Sequence, residues 1–208
     1  MIEQTLIAAG FGPVAGVDEA GRGSCAGPIT IAACILPTTL PEELAGLDDS
    51  KKLSPVRRAR LFPLIQNLAL SWSIVHLPAT FVDEWGIQHA NISGMRRAVA
   101  RLELRPAYAL IDGFGVPGLT QPSLPIIGGD AYAPCISAAS ILAKHSRDVL
   151  MAEYAQQFPG YGFEAHKGYG TKVHMDAVRR QGASPIHRYS YANVAAAHAH
   201  WLGEKETR

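Results

Sequence analysis

The segment VAGVDEAGRGSCAGPITIAACIL, residues 14–36, decides the fold that we predict for this chain. Residues 14–17 form a short apolar run that ends on Asp18 and Glu19, and residues 29–36 form a second apolar run. Two apolar runs joined by a glycine-rich stretch are typical of neighbouring strands. We therefore predict an antiparallel hairpin with an elaborate loop between its strands.

Outside this segment, strand patterns and helix patterns alternate along the chain. Apolar residues at helical spacing follow the pair Ser54-Pro55, which is typical of a helix N-terminus. The predicted strands are 14–17, 29–36, 71–77, 107–111 and 125–127, and the predicted helices are 55–68, 80–104, 137–158, 171–180 and 192–202. This order favours an α/β domain, residues 1–208, with a mixed β-sheet flanked by helices. Residues from about 149 to 208 are expected to form a helical C-terminal subdomain.

The composition excludes several classes of protein. The chain has 208 residues, of which 48% are hydrophobic and 18% charged, and its formal net charge is +1. A near-neutral chain is not a globally basic binder of nucleic acid, because such binding depends on many cations that neutralise phosphates. The longest apolar runs are too short to span a bilayer, so we expect no membrane association.

The three cysteines indicate a reducing environment. Cys25, Cys34 and Cys135 are an odd number, and none belongs to a Cys-x-x-Cys pair. This usage is typical neither of a disulfide framework nor of a structural zinc site. We expect a cytoplasmic protein.

Four acidic residues share a sequence environment. Asp18, Glu19, Asp112 and Asp130 each follow an apolar, strand-like segment near glycine. Carboxylates at strand ends project into the crevice where open α/β sheets bind ligands, and a divalent cation removes their mutual repulsion. Oxygen ligands of this kind suit Mg²⁺ or Mn²⁺. Each residue taken singly is also compatible with a turn or a helix cap, so the spacing alone leaves both readings open.

The glycine-rich loop of residues 20–28 allows the backbone to approach a ligand closely. Arg22 adds a guanidinium whose donors match a phosphate group. The loop lacks the Gly-Lys-Ser/Thr of a Walker motif, and a strand follows it where a dinucleotide-binding motif has a helix. It is therefore neither of these two nucleotide-binding motifs.

Several blocks of the sequence together resemble the bacterial ribonuclease HII family. They occur in the family's order and extend over residues 14–191. The blocks are GVDEAGRGSCAGP at 16–28, DDSKKL at 48–53, LIDG at 110–113, SAASILAK at 137–144, RD at 147–148, HKGYGT at 166–171 and SPIHR at 184–188. The first block together with DSKKL and HKGYGT is highly specific.

The resemblance implies a ribonuclease H-like fold and a metal-dependent endoribonuclease, a hydrolase that cuts the RNA strand of RNA–DNA hybrids. The family also incises 5′ to single ribonucleotides in duplex DNA, which begins ribonucleotide excision repair. The implied reaction is a two-metal-ion phosphodiester hydrolysis with Mn²⁺ or Mg²⁺, which leaves 5′-phosphate and 3′-hydroxyl ends. The expected partners are the hybrid and ribonucleotide-containing duplex DNA. No protein partner is evident, and we expect a monomer.

The resemblance also assigns residues. Asp18, Glu19, Asp112 and Asp130 correspond to the family's catalytic, metal-binding carboxylates. Gly21, Arg22 and Gly23 correspond to the loop that reads the ribonucleotide 2′-hydroxyl through its backbone, and Tyr169 to the tyrosine that packs at the RNA-to-DNA step. The further expected substrate contacts are Lys51, Lys52, Ser140, Lys144, His166, His187 and Arg188. The lysines at 51 and 52 are also compatible with a solvated helix face, and Lys144 with a charge that offsets Asp148.

Two features of the sequence depart from the family pattern. Gly128 stands where the family usually has a lysine, two residues before Asp130, and Tyr191 stands where phenylalanine is usual. Two other functions remain to be weighed, namely a DNA-directed nuclease of the same superfamily and a hybrid-binding module with structural carboxylates. The loop at 21–23 with Tyr169 argues against the first alternative, and the complete set of four acids argues against the second.

Overall fold

The computed structural model describes residues 2–48, 50 and 52–206, and within them the strands form one mixed sheet. The strands are β1 (Val14–Ala20), β2 (Ile29–Ile35), β3 (Ser71–Leu77), β4 (Tyr108–Asp112) and β5 (Ser123–Ile126). Their order across the sheet is β3-β2-β1-β4-β5. The five predicted strands are confirmed, with ends that differ by up to three residues.

The hairpin of β1 and β2 is antiparallel, as the sequence predicts. Its register pairs Asp18 with Ala32 and Glu19 with Ile31. Every residue of β2 is buried, which agrees with its continuous apolar run. β1 continues three residues beyond the predicted 14–17, so Asp18 and Glu19 lie within the strand and share its ladder with β2.

Parallel pairing of β4 with β1 places the acidic residues of the two strands side by side. Val17 of β1 is in register with Ile111 of β4, so Asp18 and Asp112 each follow one partner of the same pair. On the other side of β4, Asp112 pairs with Ile126 of β5. The carboxyl ends of β1, β4 and β5 therefore meet at one edge of the sheet.

The helices are α1 (Ile2–Ala8), α2 (Pro55–Leu68), α3 (Ala79–Trp85), α4 (Ile87–Ala100), α5 (Pro134–Gln157), α6 (Phe163–His166), α7 (Lys172–Gln181) and α8 (Ala192–Glu206). The predicted start of α2 is confirmed, because the Ser54 hydroxyl accepts a hydrogen bond from the Arg57 N–H and Pro55 opens the helix. No helix in the described part of the chain has both the length and the apolar character needed to cross a membrane.

One long helix predicted for residues 80–104 is wrong. The segment forms two helices, because Gly86 ends α3 with a backbone φ of 77°, a conformation that glycine adopts easily. The helix N-cap is Pro78 and no side chain caps it, so the expected capping by Thr80 and Asp83 is also wrong. Two short helices, α1 and α6, have no counterpart in the prediction.

The chain divides into two compact units. The first contains residues 1–20, 30–76 and 91–145, and the second contains residues 21–29, 77–90 and 146–208. In the first unit, apolar residues of β2, α2 and α5 form one core cluster, which includes Cys34, Ile65 and Leu142. The second unit has its own core, in which Met151 and Phe163 pack with residues of α7 and α8. Each unit therefore buries an apolar interior of its own.

Candidate active site

Asp18 is a buried carboxylate in the middle of an acidic group. Its side chain is 4% exposed, and its Oδ1 accepts a 2.7 Å hydrogen bond from the Glu19 N–H. The pKa of Asp18 is raised well above its usual value, first by burial and then by the nearby charges of Glu19 and Asp112; a hydrogen bond from Ser140 partly opposes this rise. These three acidic residues thus act on one another electrostatically, as the sequence predicts.

Asp112 and Asp130 are connected through the backbone between them. The Asp112 Oδ1 accepts a 2.8 Å hydrogen bond from the N–H of Gly129, and Asp130 is the next residue, with 4% exposure. The turn packs closely at Gly129, because a Cβ there would lie 2.6 Å from the terminal methyl group of Ile136. The carboxylate at the end of β4 therefore holds the turn that carries Asp130, and Gly128 begins this turn with a φ of 66°.

The donor set of these residues fits a hard divalent cation. Carboxylate oxygens are the ligands that Mg²⁺ and Mn²⁺ prefer, and a bound cation would offset the repulsion that raises the pKa of Asp18. Within residues 2–48, 50 and 52–206, no group of three or more Asp, Glu, His or Cys side chains is already arranged to hold a metal ion. The chemistry of the site fits a metal, and its side chains would have to converge when one binds.

In the glycine-rich loop, residues 20–28, the carbonyl groups of Gly21 and Arg22 point toward a buried side chain. Arg188 donates from Nη2 to the Gly21 carbonyl (2.7 Å) and from Nη1 to the Arg22 carbonyl (2.9 Å). Gly23 is exposed, and among the described residues its N–H has no hydrogen-bond partner. At Gly23 the loop therefore offers a backbone donor to solvent or to a ligand.

Gly21 and Gly23 are glycines for different reasons. Gly21 has a φ of 85°, and a Cβ at this residue would overlap the Arg147 guanidinium. A Cβ at Gly23 would meet no atom within 4 Å. Gly21 is thus required by its positive φ and by its contact with Arg147, whereas a side chain at position 23 would meet no nearby atom.

Tyr169 is exposed, and a hydrogen bond from His174 supports its backbone. The residue is 42% exposed, and its carbonyl accepts a 2.9 Å hydrogen bond from the His174 Nδ1. The Arg147 guanidinium carbon lies 5.9 Å from the centre of the Tyr169 ring. The ring therefore has an open face on a supported backbone, which suits packing against a nucleotide.

Two of the residues expected to contact substrate, His187 and Arg188, are buried. Their exposures are 1% and 0%, and both side chains form hydrogen bonds within the protein. The Nε2 atoms of His174 and His187 are 3.0 Å apart. The His174 Nδ1 donates to a backbone carbonyl, so in the neutral ring its Nε2 carries no proton and accepts a hydrogen bond from the His187 Nε2. The Nδ1 of a neutral His187 then carries no proton and accepts from the Ser184 N–H at 2.9 Å.

His166 also uses both ring nitrogens within the protein. Its Nε2 donates to the Tyr161 carbonyl at 2.8 Å, and its Nδ1 accepts from the Gly168 N–H at 3.2 Å. Burial lowers the pKa of both His174 and His187 to about 4, so these two rings are neutral near pH 7. The histidines of this region therefore support the Tyr169 turn from inside the unit.

The remaining predicted substrate residues differ in their placement. Ser140 is 3% exposed and hydrogen-bonds to Asp18 and Ser50, so in this structure it supports the acidic group. Lys52 is exposed and lies 3.7 Å from Asp48, and Lys144 is half-buried on α5. The prediction for Lys51 lies outside the described residues.

Sequence reasoning assigned no role to Arg147, although this residue was part of a motif block. A signal was available, because positions 143, 147 and 151 are four residues apart on α5 and both Ala143 and Met151 are apolar. A charged residue on an apolar stripe of a helix indicates a buried group with specific partners. The exposed Arg22, by contrast, donates to the Gln88 side chain at 2.8 Å.

Comparison with known proteins gives concordant results for sequence and fold. A family model described as ribonuclease HII matches residues 15–194. A ribonuclease HII of Corynebacterium efficiens is 66% identical over 199 residues, which are 96% of this chain and 86% of that protein. The ribonuclease HII of Corynebacterium diphtheriae is 63% identical over 203 residues, 98% of this chain and 89% of that protein. The ribonuclease H2 crystal structure from Pyrococcus horikoshii superposes with a TM-score of 0.79 at 25% identity, covering 91% of this chain and 98% of that one.

Proposed function

Since the chain belongs to the ribonuclease HII family, we propose that it incises duplex DNA on the 5′ side of single embedded ribonucleotides. Membership of the family makes it a metal-dependent endoribonuclease that acts on RNA–DNA hybrids, with a ribonuclease H-like fold. The proposal adds the single ribonucleotide as a substrate, and it predicts products with 5′-phosphate and 3′-hydroxyl ends.

Asp18, Glu19, Asp112 and Asp130 are the residues proposed to hold two divalent cations, Mg²⁺ or Mn²⁺. When bound, such cations activate a water molecule and stabilise the leaving 3′ oxygen of an in-line displacement. The part of the protein is to supply these carboxylates, and backbone N–H groups orient two of them. The Glu19 N–H orients the carboxylate of Asp18, and the Gly129 N–H orients that of Asp112.

Recognition of the ribonucleotide is assigned to the loop at Gly21, Arg22 and Gly23 and to Tyr169. The 2′-hydroxyl is the group that distinguishes RNA from DNA at a given position, and it accepts hydrogen bonds from backbone N–H groups. The observation that carries the proposal is the open N–H of the exposed Gly23, in a loop whose neighbouring carbonyls point inward. The exposed ring of Tyr169 supports it as a surface for the adjoining sugar.

The proposed location is a reducing cytoplasm. Cys25, Cys34 and Cys135 are free and buried. Burial raises the pKa of the Cys34 and Cys135 thiols, which keeps both protonated and poorly reactive. The protein therefore reaches its fold without a disulfide among these residues.

A nicking assay tests the proposed function. The substrate is a duplex DNA that carries one ribonucleotide, incubated with Mg²⁺ or Mn²⁺, and an all-DNA duplex of the same sequence serves as the control. We expect one metal-dependent nick 5′ to the ribonucleotide and no cut in the all-DNA control. With a chelator added, neither duplex should be cut. Equal cutting of both duplexes would establish a DNA-directed nuclease instead, and binding without cutting would establish a binding module.

A further inference from the structure

Two arginines in the second unit are completely buried. Arg147 on α5 and Arg188 after α7 both have 0% exposure. In the part of the chain that the structure describes, neither guanidinium forms an ion pair with a carboxylate. A buried charge without a partner of opposite sign is strongly unfavourable, so other polar groups must stabilise these two side chains.

Arg188 binds the glycine-rich loop at both of its ends. Its Nη2 donates to the Gly21 carbonyl at 2.7 Å and to the Gly27 carbonyl at 3.1 Å, and its Nη1 donates to the Arg22 carbonyl at 2.9 Å. One planar side chain thus connects residues six positions apart. The closed shape of the loop depends on this fork of donors.

Arg147 connects the same loop to the turn that precedes Tyr169. Its Nε donates to the Pro28 carbonyl at 2.9 Å, its Nη2 to the Ala26 carbonyl at 3.0 Å, and its Nη1 to the Lys167 carbonyl at 2.9 Å. Lys167 has a φ of 52°, which is uncommon for a residue other than glycine and needs support from its surroundings. A single guanidinium therefore sets the distance between the loop and the Tyr169 turn.

The two charges also act on each other unfavourably. Burial, and then the charge of Arg188, lower the pKa of Arg147 to about 10. Burial also lowers the pKa of Arg188. Stability alone does not favour two such groups, because apolar side chains of similar volume can often replace buried charged groups with no loss in the free energy of unfolding. What apolar residues do not provide is a fixed set of five donors in one plane for the carbonyls of a loop.

We propose that Arg147 and Arg188 are positioning residues for ribonucleotide specificity. They hold the carbonyls of the loop inward, which keeps the Gly23 N–H directed outward, and Arg147 fixes the loop relative to Tyr169. This inference rests on the proposed function, in which the loop and Tyr169 read the ribonucleotide. It adds that discrimination depends on two side chains that never touch the nucleic acid.

Lysine is the informative replacement at both positions. Lysine keeps the positive charge and most of the length of the side chain. Its single ammonium group, however, does not bind three separate carbonyls at once as the spread donors of a guanidinium do. Arg147→Lys and Arg188→Lys should therefore loosen the loop while the general electrostatic attraction for a duplex remains. Tyr161→Phe is the matched control, because it removes a buried 2.7 Å hydrogen bond to the Gly182 carbonyl in the same unit, and neither partner of this bond belongs to the loop.

The experiment compares binding of two duplexes by each protein in Ca²⁺, under conditions without cleavage. One duplex contains a single ribonucleotide and the other is all DNA. The readout is the ratio of the two dissociation constants, which partial unfolding does not change because it lowers the active fraction equally for both duplexes. We expect the wild-type preference for the ribonucleotide to fall about tenfold in each lysine variant, and to persist in Tyr161→Phe.

The possible results separate this inference from the proposed function. A wild-type protein that binds both duplexes equally contradicts ribonucleotide recognition itself. If the wild type discriminates and both lysine variants keep its ratio, the positioning role is wrong. Loss of binding to both duplexes in the lysine variants also overturns it, since the arginines would then serve folding alone. A reduced ratio with retained binding of the all-DNA duplex supports it.

Discussion

Asp18 combines burial with a carboxyl group that lies among other negative charges. The carboxylate is buried in β1 and surrounded by like charges from Glu19 and Asp112, so its pKa lies well above the usual value. Such an arrangement reduces stability, and proteins keep it where a charge has to be neutralised by a ligand. The residue type and its place in the motif were predictable from sequence, but its burial within the strand was not.

At the residue scale, Asp112→Asn tests the proposed catalytic set. The variant keeps the shape of the side chain and an oxygen that accepts from the Gly129 N–H, but it removes the negative charge. We expect cleavage of an RNA–DNA hybrid to fall by about two orders of magnitude or more, with hybrid affinity unchanged. Single-turnover cleavage and a binding titration check the two parts. Near wild-type cleavage would remove Asp112 from the catalytic set.

Gly23→Ala separates recognition from folding. A methyl group at this residue meets nothing within 4 Å, so the melting temperature should stay within about 2 °C of the wild type. The added group lies beside the open N–H, and we expect kcat/KM for a single-ribonucleotide duplex to fall about tenfold. Gly21→Ala should instead destabilise the fold, because its Cβ overlaps Arg147. Full activity of Gly23→Ala would show that the loop reads the ribonucleotide elsewhere.

At the scale of elements, β1 and α5 pack in direct backbone contact. A Cβ at Gly16 of β1 would overlap the backbone of Cys135 and Ile136 at the start of α5. The same helix start is held by Glu3 of α1, whose Oε1 accepts a 2.7 Å hydrogen bond from the Cys135 N–H. The close approach of strand and helix places the turn with Asp130 next to the carboxyl end of the sheet.

Gly16→Ala should therefore be strongly destabilising. Its new methyl group meets backbone atoms, which do not move aside as a flexible side chain does, and we expect a loss of about 3 kcal/mol or more in the free energy of unfolding. Urea denaturation measures this loss. The control is Gly115→Ala, whose Cβ meets nothing within 4 Å and which should change stability by less than about 1 kcal/mol. Equal stabilities of the two variants would contradict the contact.

At the scale of the whole molecule, the buried histidines predict a loss of stability in mild acid. His174 and His187 have a pKa of about 4 in the folded protein, against 6.5 for an ordinary histidine. Between these values the unfolded chain binds protons that the folded chain excludes, so stability falls as the pH falls from 6.5 to 4. We expect a decrease of about 2 kcal/mol in the free energy of unfolding for each histidine, and a fall in Tm of about 10 °C for the two together.

Thermal unfolding of the wild type and His187→Gln at several pH values provides the measurement. The carboxylates titrate in the same range and contribute equally to both proteins, so the difference between the two curves isolates the histidine. The variant should be less stable at pH 7, where its neutral hydrogen bonds are missing, and should depend less on pH below 6.5. Parallel curves for the two proteins would contradict the assignment.

Much of the element structure was predictable because it depends on local rules. The Ser54-Pro55 start of α2 and the alternating pattern of β3 act over a few residues, and both predictions agree with the structure within one residue. The helix predicted for 80–104 failed at Gly86, since the apolar pattern continues across the break while the backbone does not. The spacing of apolar residues indicates which residues are buried. The same spacing can continue where the chain changes direction, so it does not show where a helix ends.

By itself, the sequence determined the family and the succession of strands along the chain, and it indicated four acidic residues as candidate metal ligands, because motifs and apolar runs are properties of the chain. Only the tertiary structure decided which polar residues face inward. His187, Arg188 and Ser140 belong to motif blocks that suggested contact with substrate, yet all three are buried and bind the protein itself. The physical reason is that a buried donor must find an acceptor, and the acceptors here are backbone carbonyls and side chains brought together by folding. The sequence shows which residues can donate a hydrogen bond, but it does not show which distant carbonyl will accept it.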